Sequence, residues 1–284
     1  MGIDGNQSEE VLNQWAESAR YWDKHYWTIR SMFSPVTGAL VQAARIVPGR
    51  RVLDVAGGAG EPSITLAGIV GPEGHITYAD PVRDMMEVAR RHARNQGLTN
   101  LEFHCAPAES LPFPDNTFDS VTCRFGAMFF ADPGLASKEM LRVLKPGGRL
   151  ALSVWRDRDL NPFFAIVADA VAKYIEQVPE DPNAPGAFRF ANPGSLSRVL
   201  IDAGASATTE SILEFPIQAP ISLDEFWTTR VELSETLRGK VARLSPDQLA
   251  TARRDATAAA APYFHDGSLN IPAQVLIISA GVES

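Results

Sequence analysis

The sequence predicts an α/β fold: a doubly wound, mainly parallel seven-stranded sheet with an antiparallel edge strand and helical cap insertions. Three observations carry this reading. Residues 51–60 read Arg-Val-Leu-Asp-Val-Ala-Gly-Gly-Ala-Gly, an apolar run that ends in a glycine-rich turn. Strand-like and helical runs then alternate as far as residue 155, the pattern of a parallel sheet covered on both faces. Two further β-type runs, 212–217 and 274–280, complete the sheet and supply its antiparallel edge.

Residues 1–47 are helical and aromatic-rich and form an N-terminal lid, and residues 48–284 form the main domain. The first strand, 51–55, uses Val52, Leu53 and Val55 as buried β-formers. Its turn uses Gly57, Gly58 and Gly60, which lack the Cβ that would keep a ligand away from the backbone. A helix follows over 63–69. Strands are expected at 75–80, 101–105, 118–123 and 148–155. Between them, 84–96 places Met85, Val88, Ala89 and Ala93 on one helical face, and Gly97 ends that helix. Asp132-Pro133 is an N-cap followed by proline at the first helical position, and Lys145-Pro146-Gly147-Gly148 supplies the basic last turn and the stop.

Cap insertions are expected at about 156–190, a helix and then a Pro-rich loop, and at 219–265, mostly helical. Between them Asn192-Pro193 opens a helix that Gly204 closes. In the second insertion Ser245-Pro246-Asp247-Gln248 reads as a capping box, and the alanine tract 256–261 as the end of its helix.

A chain of 284 residues with 45% hydrophobic content can bury a large core, which argues against disorder. The net charge of -8 argues against a broad nucleic-acid footprint, which needs clustered Lys and Arg. No apolar run reaches the roughly 18 residues of a membrane helix. The first residues lack the basic and apolar regions of an export signal. Cys105 and Cys123 are too few for a disulfide framework. The expectation is a cytoplasmic protein without an integral membrane segment.

The glycine turn alone leaves the ligand open. Gly58-x-Gly60-x-x-Ser63 approaches the dinucleotide fingerprint of NAD and flavin sites. Asp80 stands about 20 residues on, a spacing that suits any adenosine ribose. Later motifs discriminate. In order, the chain carries Val52-Leu53-Asp54-Val55-Ala56-Gly57-Gly58-Ala59-Gly60, a strand end at Asp80, and Ala108-Glu109-Ser110-Leu111-Pro112-Phe113. Phe118-Asp119 then leads to Leu141-Arg142-Val143-Leu144-Lys145-Pro146-Gly147-Gly148. In these pieces the sequence resembles the class I S-adenosylmethionine (SAM) dependent methyltransferases, particularly the small-molecule group that includes the ubiquinone and menaquinone C-methyltransferases. The resemblance is strong over about 48–155 and loose in the flanks.

That resemblance implies a Rossmann-like fold, SAM as the cofactor and a small-molecule substrate. It places the methionine part of SAM over Ala56, Gly57, Gly58 and Gly60, with Asp54 supporting the turn and reaching the ammonium through water. It gives Asp80 both ribose hydroxyls, Pro81, Val82 and Met85 one face of the adenine, and Ala108 and Glu109 its edge. Arg124 and Phe125 border the methionine and the substrate. Two positions depart from the family pattern. Ala56 replaces the usual first glycine, which suggests a backbone that an L-residue tolerates. Pro107 replaces an Asp that contacts the adenine amino group, and proline offers neither a carboxylate nor an N–H.

Methyl transfer from a sulfonium is an in-line displacement, so positioning and water exclusion can carry much of the catalysis. The five histidines show no metal-ligand spacing, and no metal is expected. Tyr21, Trp22, Tyr26 and Trp27, with Phe125, Phe129 and Phe130, offer aromatic faces to a cation. The N-terminal four fit core packing as well as a lid. Tyr21, Trp22, Tyr26 and Phe129 are the substrate-side candidates, and His25 is the candidate general base. Arg124 suits either an anionic substrate or a structural ion pair.

The leading expectation is a SAM-dependent methyltransferase acting on oxygen or carbon of a small, partly apolar molecule. A SAM-fold binding or regulatory protein without turnover, or an NAD-dependent oxidoreductase, are the other readings. The aromatic N-terminal helix equally suits a homodimer interface.

Overall fold

The computed structural model describes residues 5–176, 181 and 183–283. The first four residues of the expected lid, and 177–180 and 182 of the expected Pro-rich loop, lie outside the described residues.

The sheet is built from β1 (Arg51–Val55), β2 (His75–Asp80), β3 (Leu101–Cys105), β4 (Phe118–Arg124), β5 (Leu144–Trp155), β6 (Ser206–Ala219), β7 (Phe264–His265) and β8 (Ser268–Gly281). Its order is β3-β2-β1-β4-β5-β8-β6, and the short β7 pairs with β8. The first five strands are mutually parallel. The antiparallel pairing lies at the expected end of the sheet, where β8 runs against both β5 and the edge strand β6. The chain reverses its winding between β1 and β4, so the carboxyl ends of those strands flank a crevice in which ligands collect.

Helices cover both faces. They are α1 (Gly5–Lys24), α2 (Tyr26–Met32), α3 (Ser34–Ala43), α4 (Ser63–Val70), α5 (Arg83–Asn95), α6 (Pro133–Arg142), α7 (Pro162–Ala172), α8 (Ser195–Asp202), α9 (Leu223–Glu232), α10 (Glu235–Val241) and α11 (Pro246–Ala260). In α5 the buried residues recur at helical spacing on two adjoining stripes: Met86, Ala89 and Ala93 pack on β2 and β3, and Met85 and Val88 pack against α1. Asp132 caps α6 by accepting from the Leu135 N–H. Val36 and Leu40 of α3 are buried in the same core as Leu150, Leu152 and Val154 of β5. The N-terminal segment is therefore part core and part cover. Among the described residues no helix is long and apolar enough to cross a membrane.

Three local expectations change. The Lys145-Pro146-Gly147-Gly148 stop does not end a helix. The helix α6 ends at Arg142, and these residues belong to the start of β5. The ladder with β4 slips there, from Phe118 opposite Leu144 to Ser120 opposite Arg149, and the surplus residues form a bulge. Lys145 Nζ holds it by reaching Asp119 Oδ1 at 2.7 Å. The helix expected to open at Asn192-Pro193 begins at Ser195, after Gly194 in the left-handed conformation at φ 82°. The last two long strands exceed the expected 212–217 and 274–280, and they pair continuously from Thr209 opposite Ser279 to Ala219 opposite Leu269. The expected capping box at Ser245 is present, with a second at Ser222 and Glu225.

Candidate functional site

The crevice at the carboxyl ends of β1, β2 and β4 opens into a cavity of about 720 Å³. That volume is ample for a cofactor with a small partner beside it.

One wall is the glycine turn. Val55 ends β1, and the chain then turns through Ala56 at φ 55°, Gly58 at φ 52° and Gly60 at φ 113°. Each glycine has its own reason. A Cβ on Gly57 would stand 2.4 Å from the buried Tyr78 ring, and one on Gly60 would stand 2.8 Å from Ile64 Cδ1 and 3.1 Å from Ala89 Cα. At Gly58 a Cβ would meet nothing within 4 Å, and this residue lines the cavity. The strand β2 pins the turn from below: Tyr78 donates from its hydroxyl to the Gly58 carbonyl at 2.7 Å, and the Gly58 N–H donates to Asp80 Oδ2 at 2.9 Å.

Ala56 overturns the expectation of an L-tolerant backbone, because its φ of 55° is left-handed. Phe125, across the crevice, is also left-handed at φ 62°. Both line the cavity. Strained backbone held in place by its surroundings concentrates where a fold binds or reacts.

Asp54 is fully buried and does not line the cavity. Its Oδ2 accepts from the Ser63 N–H at 3.0 Å and the Ser63 hydroxyl at 2.6 Å, and its Oδ1 accepts from the Thr122 hydroxyl at 3.0 Å. Burial lifts its pKa to about 6 against those donors. It ties the turn to the start of α4. Ser63→Ala is expected to lower stability by about 1–3 kcal/mol, because it strips a donor from a buried carboxylate. A melting curve measured beside the wild type checks this.

Asp80, Pro81, Val82 and Met85 line the next stretch of the cavity, opposite Pro107, Ala108 and Glu109. Asp80 Oδ1 accepts from the Val82 N–H at 2.8 Å, so each carboxylate oxygen already holds one backbone donor. Each keeps a further lone pair for a ligand hydroxyl. Burial raises the Asp80 pKa to about 6, against the Val82 and Gly58 hydrogen bonds.

The rest of the lining is mostly aromatic. The helix α1 contributes Trp15 and Trp22, the α2 segment contributes Tyr26, and Phe33, Phe125 and Phe129 close the far side. Trp15 meets Phe129 edge-on at 5.1 Å, and Phe125 stacks on Trp155 at 4.4 Å. Tyr26 donates to Glu61 Oε1 at 2.9 Å. Burial foremost, then the Glu61 charge, raises its phenol pKa. Arg124 also borders the cavity.

The turn, Asp80 and its neighbours, Ala108, Glu109, Arg124, Phe125, Trp22, Tyr26 and Phe129 therefore come together. Gly60 and Asp54 stand behind the wall. His25 and Tyr21 face elsewhere: His25 Nε2 lies 2.6 Å from Glu232 Oε2, and the Tyr21 ring lies under Arg20 and Arg238. Trp27 is 63% exposed. Sequence reasoning missed Glu61, Phe33 and Trp15. Trp15, Ala19 and Trp22 share helical spacing, a signal that was present in the sequence.

The model of the ubiE/COQ5 methyltransferase family matches residues 37–172. A ubiquinone/menaquinone biosynthesis C-methyltransferase of Ectopseudomonas mendocina is 43% identical over 130 residues, 45% of this chain and 50% of that protein. Its counterpart in Shewanella woodyi is 44% identical over 111 residues, 39% of this chain and 44% of that protein. The chain thus spans about half the length of the curated relatives it matches. Among solved structures, the YcgJ protein of Bacillus subtilis superposes with a TM-score of 0.54 at 23% identity, over 87% of this chain and 98% of its own. The [4+2]-cyclase SpnF does so with a TM-score of 0.54 at 21% identity, over 95% and 96%. These two likenesses concern the fold. With the 37–172 match, the chain resembles the class I SAM-dependent methyltransferases, and within them the ubiquinone/menaquinone C-methyltransferase group.

Proposed function

We propose that the protein is a SAM-dependent methyltransferase that methylates an oxygen or carbon atom of a small, partly apolar molecule. The observation that carries this reading is the joining of two things in one cavity. A buried carboxylate, Asp80, stands beneath the cavity-facing Gly58 at the carboxyl end of β2, and an aromatic chamber adjoins it.

The residues fit the group. Asp80 offers an acceptor-only carboxylate to the ribose diol, the turn Ala56–Gly58 approaches a ligand without side chains beyond a methyl, and Pro81, Val82 and Met85 give an apolar face for adenine. Pro107 leaves the adenine edge to backbone groups of Ala108 or to water. When bound, SAM supplies an electrophilic methyl on a sulfonium. The protein's own share is to align the acceptor with that methyl and to exclude water. Trp15, Trp22, Phe33, Phe125 and Phe129 serve both ends, and their π faces suit a cation. The α1 helix acts as the lid, and the setting is cytoplasmic, in keeping with two unpaired cysteines.

Incubation with methyl-labelled SAM and a metabolite extract tests the reading. Protein-dependent label transfer to a small molecule is expected. Tight SAM binding without transfer to any extract would favour the non-catalytic binder, and failure to bind SAM beside tight NAD binding would favour the oxidoreductase.

A further inference from the structure

Arg124 is 9% exposed, borders the cavity and has no carboxylate within 4.0 Å among the described residues. Its two hydrogen bonds go to neutral oxygens: Nη1 donates to the Thr37 hydroxyl at 2.9 Å, and Nη2 donates to the Glu61 carbonyl at 3.1 Å. The nearby carboxylates make their direct contacts elsewhere. Glu61 Oε1 takes the Tyr26 hydroxyl and stands 3.2 Å from Arg30 Nε, and Asp54 accepts from Ser63 and Thr122. Burial lowers the Arg124 pKa, opposed by the longer-range Glu61 and Asp54 charges. A buried guanidinium without a direct counter-ion is destabilising unless something else compensates it.

We infer that Arg124 is an oxyanion receptor: the unused part of its N–H fork takes a carboxylate, phenolate or enolate oxygen of a bound molecule. This rests on the methyltransferase reading for the identity of the occupants. Two sources share the chemistry, the carboxylate at the methionine end of SAM and an ionised methyl acceptor. The Phe33 ring lies 6.0 Å from the guanidinium carbon, and Phe33 and Phe125 give apolar surface against which the planar body of an acceptor can lie while its oxygen meets the guanidinium.

The test uses the full chain and its Arg124→Met and Arg124→Lys variants. Three quantities are read: the melting temperature, the affinities for S-adenosylhomocysteine and its decarboxylated analogue, and the absorbance titration of 4-nitrophenol against binding of 4-nitroanisole. The Met variant is expected to melt close to wild type, because relief of a buried charge with no direct ion pair offsets the loss of the bonds to Thr37 and the Glu61 carbonyl.

If the cofactor is the source, wild type prefers S-adenosylhomocysteine over the decarboxylated analogue by about tenfold or more, and the Met variant loses that preference. If the acceptor is the source, bound 4-nitrophenol ionises about one pH unit lower than free, and the Met variant abolishes the shift. The Lys variant keeps part of either effect, since it retains charge without the fork. The inference is overturned if wild type shows neither preference. It is also overturned if the Met variant melts lower and weakens the charged and uncharged member of each pair alike, the signature of a structural tie between α3 and the turn. A protein that binds no S-adenosylhomocysteine would sink the methyltransferase reading, while the nitrophenol titration without cofactor would still report on Arg124.

Discussion

Gly60→Ala is expected to destabilise the protein by about 3 kcal/mol, adding backbone strain to overpacking, and to abolish tight cofactor binding. Two independent terms act at this position. Its φ of 113° lies in a region that L-residues rarely adopt. The added methyl would also stand 3.1 Å from the Ala89 Cα, part of the α5 backbone, which cannot give way as a side-chain tip can. Ile64 Cδ1 at 2.8 Å is the softer contact. Relief therefore comes from moving the turn, and the turn is what holds Gly58 over Asp80. A melting curve and a calorimetric titration with SAM measure both effects. Gly58→Ala is the informative contrast, since a methyl there meets nothing within 4 Å and adds only the strain of φ 52°. Equal melting temperatures for Gly60→Ala and wild type would show that the turn is softer than this packing implies.

What the sequence made legible follows from how buried each part is. Strands β1, β2 and β4 were readable almost to the residue because nearly all their residues are buried inside the parallel sheet, while β3, at its edge with no buried residue, was readable from the alternation of Leu101, Phe103 and Cys105. The outer parts of β6 and β8 were not. At the edge Ser206, Thr209, Glu210 and Ser211 carry no apolar signal, and pairing with β8 alone keeps them extended.

The α1–α2 segment shows a different limit. Tyr21 and His25 share one helical stripe, Trp22 and Tyr26 the adjacent one, and local spacing cannot say which stripe meets the ligand. Tertiary packing decides. Glu232 draws His25 toward α9, and the cavity takes Trp22 and Tyr26. Ala56 shows a third. An alanine at a turn suggests a relaxed backbone, but its φ is left-handed, and the room for its methyl depends on Gly126, where a Cβ would come within 2.5 Å of it. Glu61, beside an unmistakable motif, carried no signal that it faces inward.

With the ribose placed on Asp80 as proposed, cofactor affinity should depend on pH in a direction that follows from the burial of that carboxylate. In the free protein its pKa is raised from 3.8 to about 6. The folded state therefore holds a proton that the unfolded chain has released between those values. The stability linked to that proton is fully present below 3.8 and is lost as pH rises through about 6. Ligand binding has the opposite sign. A ribose diol donates two hydrogen bonds and needs the ionised acceptor, so binding is strongest above about 6 and should weaken about tenfold per pH unit below it. Asp54 titrates near the same value but stands behind the wall, so its proton bears on stability rather than on the ligand.

Two variants separate these contributions. Asp80→Ala removes the acceptor and leaves the Gly58 N–H unpaired, which should weaken SAM binding by about 1–3 kcal/mol at pH 7.5. Asp80→Asn keeps the size without the titrating charge, and its affinity should be weak and flat between pH 5 and pH 7.5. Calorimetric titrations at the two pH values measure both. If Asp80→Asn kept the wild-type pH slope, the controlling proton would lie on another group. If Asp80→Ala kept wild-type affinity, the ribose would have to sit away from β2, and the glycine turn would no longer be the floor of the site.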